Sequence, residues 1–469
     1  MNGITKFGLA ASTALILAAC GSSSNSNDND TGVTPPPPPP PAASTFVRVH
    51  HSVADAPDVN VLVDGSAVLE AVPYGASSGV LELDEGAYDL QVDGILPDGN
   101  TAAVITADGV ELEGDTRYEV FAVGKVADET IAPLIIANPV SDIADGNFRI
   151  QVLHAAPDAP AVDVYLTAPD AVLADEAAAA TLEFGDYTGQ LDVPAGEYRV
   201  RVTVAGDPAA VAFDSGALEF AAGADLVVAA VTNTGTGESP VMLQVADGEG
   251  AAIVADANAG AHIRVVHASA DAPAVDVTVN NAAEPAISNL AFKEFTGFIE
   301  LPAGEYLVDV AAAGGTPVVL DDIPLPLNAG ESFSVYAVGA LGDSSLTLAL
   351  VDDLARSIAT AAQVQIVHAS PSAGPVDIYV TASDDISAAD PVFTAVPFDS
   401  ASLASTGYVA LTPGDYVVTV TPTGTKDAAI GPVSLSLVGG GVYTAVAVDA
   451  DGGGLLPQLI LMDDFVAAQ

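Results

Sequence analysis

One stretch of this chain is written four times, and that repetition bounds what it can fold into. The clearest copy, 263–279, reads Ile-Arg-Val-Val-His-Ala-Ser-Ala-Asp-Ala-Pro-Ala-Val-Asp-Val-Thr-Val. The other copies begin at Val47, Phe148 and Val364. Their histidines, His51, His154, His267 and His368, stand 103, 113 and 101 residues apart. A period of that length is one small domain, so the 469 residues divide into four tandem units. The spacing predicts repeats at 46–140, 147–247, 261–353 and 363–466.

Each repeat follows one script. An alternating strand opens it (Val47 and Val49; Ile150 and Val152; Ile263 and Val265; Val364 and Ile366), a turn follows, and a second alternating strand comes next. Later comes a corner with glycine two residues before tyrosine, at Tyr88, Tyr198, Tyr306 and Tyr416. Apolar strands close each unit, at 118–123, 226–231, 335–338 and 443–448. Seven or so short strands in about 100 residues predict an all-β fold of four tandem Greek-key β-sandwiches. The Gly-x-Tyr corner resembles the tyrosine corner of immunoglobulin-like domains, which makes these tyrosines folding residues. The chain has no tryptophan and one cysteine, so the core disulfide and tryptophan of antibody domains are absent, and a transthyretin-like sandwich is the alternative. Repeats two and four carry extra residues, at 167–181 and 381–394. The alanine run at 174–180 is expected to make one or two helical turns.

The single cysteine has its own explanation. Lys6 precedes an apolar run over 7–19 that is too short to span a bilayer, and the run ends in Leu17-Ala18-Ala19-Cys20. This resembles the lipobox of bacterial lipoproteins. The resemblance implies a signal peptide over 1–19, acylation at Cys20, and a mature protein held on a membrane without spanning it. Gly21 after the cysteine, where aspartate is missing, implies sorting to the outer membrane. Residues 20–45 read as a disordered Ser/Asn/Asp and proline-rich tether, with seven consecutive prolines at 35–41 forming a stiff spacer of roughly 20 Å.

Within the repeated stretch, counting by twos places the histidine on the apolar, inward face of its strand. Four residues later stand Asp55, Asp158 and Asp271, each before Ala-Pro, where aspartate bonds nearby amides in an Asx-type turn. His51, His154, His267 and His368 are therefore expected to lock turns, bonded to backbone or carboxylate. Metal ligation is the alternative, and one histidine with one carboxylate is too few for a closed zinc site. Gly75-Ala76-Ser77-Ser78-Gly79 matches the letters of a nucleophile elbow, but an alternating strand follows it where a helix is required. No catalytic group is predicted. Calcium at the acidic pairs Asp321-Asp322, Asp352-Asp353 and Asp384-Asp385, or at Asp449-Ala450-Asp451, is the one cofactor considered.

The motif His-Ala-x-x-Asp-Ala-Pro-x-Val-Asp-Val, with its later Leu-Pro-Ala-Gly-x-Tyr, resembles domain of unknown function 4397, an extracytoplasmic family that occurs in tandem. Copies two and three match most closely. Copy one has Asn60 in place of Asp163, Asp276 and Asp377, and copy four has Ser372 and Gly374 in place of aspartate and proline. The resemblance implies a fold and a compartment and carries no activity. With 11 basic against 62 acidic residues, the net charge of −51 repels nucleic acid and anionic lipid and suits cations or basic partners. The expected function is thus a non-enzymatic, lipid-anchored envelope protein. Its four domains are expected to stack into a rod of roughly 130 Å for adhesion, binding of an unidentified protein or glycan, or spacing. Its place is periplasmic or surface-exposed. The alternatives are a carbohydrate-binding lipoprotein, disfavoured by the lack of tryptophan platforms, and an envelope hydrolase.

Overall fold

The computed structural model describes residues 43–353 and 356–464. The expected signal peptide, Cys20 and the expected tether as far as residue 42 lie outside the described residues. The described residues form one compact unit. Among the described residues, no helix is long and apolar enough to cross a membrane.

Repeat 1 sets the pattern. Its strands are β1 (Ser44–His51), β2 (Val59–Val63), β3 (Ser66–Val72), β4 (Leu81–Asp84), β5 (Gly86–Ile95), β6 (Thr101–Leu112), β7 (Thr116–Val123) and β8 (Ala132–Pro139). They form two sheets, ordered β4-β1-β7-β8 and β3-β2-β5-β6. All neighbours are antiparallel except β1 and β7, which run parallel from Phe46 beside Arg117 to His51 beside Ala122. The other three repeats rebuild the same pair of sheets, giving eight sheets in four tandem sandwiches. The two-sheet sandwich is the one expected. Its pairing order is its own, since β2 lies between β3 and β5, whereas immunoglobulin sandwiches place the second strand between the first and fifth. Repeat 2 extends its first sheet with a fifth strand, Ala251–Val254, within the connection to repeat 3. The alanine run of repeat 2 makes a single 3-10 turn, Leu173–Asp175, and then enters the strand Ala180–Leu182; so short a run does not sustain a helix against sheet pairing.

The two sheets of each sandwich differ in burial, and the difference explains how the repeats are joined. Strands of the second sheet alternate, as in Ile430–Leu437, because one face meets water. The first sheet is covered on both faces: Ser332–Val338 and Ala362–His368 are buried at every position. One face closes the sandwich core. The other packs on the matching sheet of the neighbouring repeat. Phe121, Val123 and Ile136 of repeat 1 form one cluster with Leu153, Val227, Ala229 and Met242 of repeat 2. Val266, Tyr336 and Val351 of repeat 3 form another with Val367, Val446 and Met462 of repeat 4. The repeats therefore associate as two face-to-face pairs, 1 with 2 and 3 with 4, in place of the end-to-end rod expected from short connections. A continuous apolar strand must be covered on both sides, and a neighbouring sheet covers more of it than a linker does.

Candidate functional site

The four motif histidines occupy one geometry. Each is at most 2% exposed, at the end of the first strand. In each, Nε2 donates to the carbonyl six residues later: Pro57 (3.0 Å), Pro160 (3.0 Å), Pro273 (2.9 Å) and Gly374 (2.8 Å). In three, Nδ1 accepts the amide two residues later, from Val53, Ala156 and Ser370. His267 keeps the first bond, and its Nδ1 has no partner. An aromatic ring packs beside each imidazole: Tyr74, Phe184, Phe292 and Phe398, at 6.0 to 6.5 Å. With both nitrogens committed in three copies, the ring is a neutral brace across the turn and offers no lone pair to a metal. Burial lowers the pKa of His51 to about 4 and lowers His267 and His368 in the same direction, because the cation would lose its hydration.

The motif aspartates reach further than a local Asx turn. Asp55 accepts the amides of Val126 and Ala127 (2.8 and 2.9 Å), and Asp271 those of Leu341 and Gly342 (both 2.8 Å). Both tie the histidine turn to the loop between the last two strands. Asp158 is exposed and instead pairs with Lys125 of repeat 1 at 3.0 Å. Repeat 4 makes the tie with donor and acceptor exchanged. Ser372 stands at the aspartate position, and its hydroxyl donates to Asp449 at 2.7 Å.

The second aspartate of the motif does comparable work that spacing alone did not reveal. Asp276 accepts the amides of Asn289 and Gly314 (2.7 and 2.8 Å), and Asp377 those of Ala395 and Gly424 (2.8 and 2.9 Å). Asp163 takes the Thr181 hydroxyl and the Gly206 amide. These bonds favour the ionised form and hold all three carboxyls below their ordinary pKa. Asn60 keeps one such bond, to the Ala71 amide at 3.0 Å.

The four corner tyrosines each donate to the carbonyl four residues upstream: Tyr88 to Asp84, Tyr198 to Pro194, Tyr306 to Pro302 and Tyr416 to Thr412, at 2.7 to 2.9 Å. Tyr198→Phe removes one such bond and is expected to cost about 1 kcal/mol, read as a lower urea midpoint at unchanged slope. An unchanged midpoint would show that the corner bond does not stabilise the fold.

A further polar cluster lies between repeats 1 and 2. Arg48 reaches Glu119 through Nε (2.8 Å) and Nη2, and His50 Nε2 donates to the same carboxylate at 3.0 Å. His50 Nδ1 meets Ser77 Oγ at 2.7 Å. Arg117 of repeat 1 pairs with Asp225 of repeat 2 through both terminal nitrogens. Burial alone would raise the Glu119 pKa, but hydrogen bonds from His50 and Arg48, with the arginine charge, draw it down to about 2. His50 is lowered by its complete burial. Ser77, His50 and Glu119 thus have the connectivity of a nucleophile relay. Three features oppose that use. The chain runs from Ser77 into β4, with no helix after it. Gln244 of repeat 2 covers Ser77, bonding its hydroxyl at 3.3 Å and the Ala76 carbonyl at 2.9 Å. The Glu119 charge is also matched by Arg48. Repeats 3 and 4 are joined by the counterpart cluster, in which Arg264 pairs with Asp353 and, across the interface, Asp463, both at 2.5 Å.

Sequence reasoning missed His50, Glu119 and the arginines. A signal was present: the position three residues before each motif histidine alternates Arg48, Gln151, Arg264, Gln365, a period of two repeats that marks the pairing. The acidic pairs do not converge on one another. Asp353 faces Arg264, Asp451 pairs with Lys293 at 2.6 Å, and Asp449 holds Ser370 and Ser372. Among the described residues, no group of three metal-ligating side chains comes together.

No curated protein matches the chain. Among solved structures, it is similar to the product complex of a multi-modular glycogen-degrading pneumococcal virulence factor, at 10% identity and a TM-score of 0.15; the match covers 58% of this chain and 37% of that protein's length. A DUF3823 family protein from Bacteroides ovatus aligns at 12% identity and a TM-score of 0.09, over 39% of this chain and 98% of that one. The family described as domain of unknown function DUF4397 matches residues 45–165 and 261–379, just over half of the chain. Each match opens on the first repeat of a face-to-face pair and ends in the second strand of its partner, and on this evidence the chain belongs to the DUF4397 family.

Proposed function

We propose that this chain is a non-enzymatic lipoprotein of the bacterial cell envelope. It is held to a membrane, the outer one by its Gly21 signal, through acylated Cys20, and it presents paired sandwiches for adhesion, binding or spacing. The observation that carries this reading is the use made of the repeated motif. Its histidines and tyrosines brace turns in all four repeats and its aspartates in most, so what is repeated is a platform. Two acyl-bearing signals at one cysteine anchor stably, and a proline spacer sets the platform off the lipid surface. Weak contacts by similar domains add through avidity when they engage together.

The experiment is fractionation with Cys20→Ser. The wild type should sediment with membranes and the variant should be released. Equal sedimentation of both would overturn the lipid anchor. Protease shaving of intact cells then separates a surface role from a periplasmic one.

One observation favours a glycan as partner. A polar cleft of about 540 Å³ is lined by Asp55, Lys125, Asp158, Asn233, Arg356 and Ser357, where repeats 1, 2 and 4 meet. Such side chains suit sugar hydroxyls. Retention on a glycan array that is lost in Asn233→Ala would support this reading, and no retention would remove it.

A further inference from the structure

The two sheets of sandwich 3 leave a space between them of about 140 Å³. Its walls are aliphatic, with Ile263, Val277, Leu290, Val308, Leu325 and Val335 among them. Two wall residues carry polar atoms. The Tyr306 hydroxyl is bonded to the Pro302 carbonyl, and His267 Nε2 to that of Pro273. Only His267 Nδ1 is left unpaired. A buried water needs two to four polar partners, so one acceptor does not hold it and the space is dry.

Sandwich 2, compared through the shared strand register, carries more rings in its core. Phe148 there corresponds to Ala261, six residues before the motif histidine in each. Phe213, opposite Val202, corresponds to Leu320, opposite Val310; Phe220, opposite Gly196, corresponds to Leu327, opposite Gly304. In sandwich 2, Phe148 and Phe220 stack at 4.7 Å and both lie against Tyr198. Sandwich 3 keeps the corner tyrosine, with Phe333 as the one phenylalanine of its core cluster. The rest of the wall is nearly the same, with Val162, Val164, Val200 and Val202 matching Val275, Val277, Val308 and Val310. Relative to sandwich 2, sandwich 3 thus lacks three rings and gains one, Phe333 in place of Leu226. Wall atoms facing a void forfeit their dispersion contacts, and any apolar molecule of the right size restores them.

We propose that sandwich 3 binds a small apolar molecule the size of a benzene ring in the space between its sheets, and that the ring-richer core of sandwich 2 does not. A dry, aliphatic cavity of roughly 150 Å³ is known to take benzene or xenon. The ligand class is an unsubstituted aromatic ring or a compact hydrocarbon; a charged or multiply hydroxylated ligand finds no partners here.

The test is methyl NMR of the full chain titrated with benzene. Signals of Ile263, Ile287, Leu290 and Val335 should shift and saturate, and those of Val164 and Val200 in sandwich 2 should stay in place. The variant Val308→Phe, which puts a ring on a residue that lines the space, should lose the shifts. If that variant fails to fold, the contrast between sandwiches 3 and 2 in the wild type decides alone. Absence of any shift in sandwich 3 up to the solubility limit of benzene, or equal shifts in both sandwiches, overturns the proposal.

Discussion

Glu119→Leu is expected to destabilise the pair formed by repeats 1 and 2 by about 3 to 5 kcal/mol, the cost of leaving a buried charge without its partner. Arg48 is 1% exposed, and without the Glu119 carboxylate its remaining partner is the Asp225 carbonyl at 3.4 Å. His50, fully buried, would lose its acceptor in the same step. Replacing both charges, as Arg48→Met with Glu119→Leu, is expected to cost less than the single change, because apolar side chains of similar size remove the desolvation penalty along with the attraction. Urea unfolding followed for each variant checks both statements. A single variant that loses under 1 kcal/mol, or a double variant worse than the single, would show that this cluster is not what joins the pair.

Acid should weaken the motif turns before it neutralises the surface. In the folded state His51 titrates near 4, below its ordinary value of 6.5. Between those values the unfolded chain binds a proton that the folded chain refuses, so stability rises with pH across that window. The contribution is complete above pH 6.5 and is lost as pH falls through 4, amounting to about 3 kcal/mol for His51 alone. His267 and His368 are lowered for the same reason, so sandwiches 3 and 4 share the trend. The mechanism is local. Protonation takes Nδ1 from acceptor to donor, setting it against the Val53 amide it now receives. Protonating part of the large acidic surface opposes this trend by relieving repulsion, chiefly below pH 5, so the informative comparison is pH 7.5 against 5.5. A loss of about 1 kcal/mol from His51 is expected there, read as a falling urea midpoint. A midpoint that stays level or rises over that interval would contradict it.

Much of the fold was legible because period-two alternation and the Gly-x-Tyr corners recur four times. The corner bond followed from tyrosine's place alone, since its partner lies only four residues away. What alternation did not reveal was the partner of each outer sheet face. The run Leu226-Val227-Val228-Ala229-Ala230-Val231 announces burial on both sides, and nothing within one repeat says that a second repeat provides the cover. The rod followed from counting short linkers, and the pairs from faces that linkers do not describe. The site divides in the same way. Histidine and aspartate at fixed spacing read as a turn, whereas the amides that Asp55 and Asp271 hold lie about 70 residues away, beyond any local pattern. His50 stayed hidden because it is peculiar to the first copy: Leu153, Val266 and Val367 hold its place elsewhere.

The claim on which this account turns is that the repeated motif braces structure. Long-range imidazole nitrogen NMR of the intact chain tests it directly. His51, His154, His267 and His368 should all carry a proton on Nε2, bonded to the carbonyl six residues on, and His51, His267 and His368 should be neutral at pH 7. Signals with the proton on Nδ1, or a zinc-dependent shift of Nε2 in any of the four, would contradict it and return the motif to the list of reactive sites.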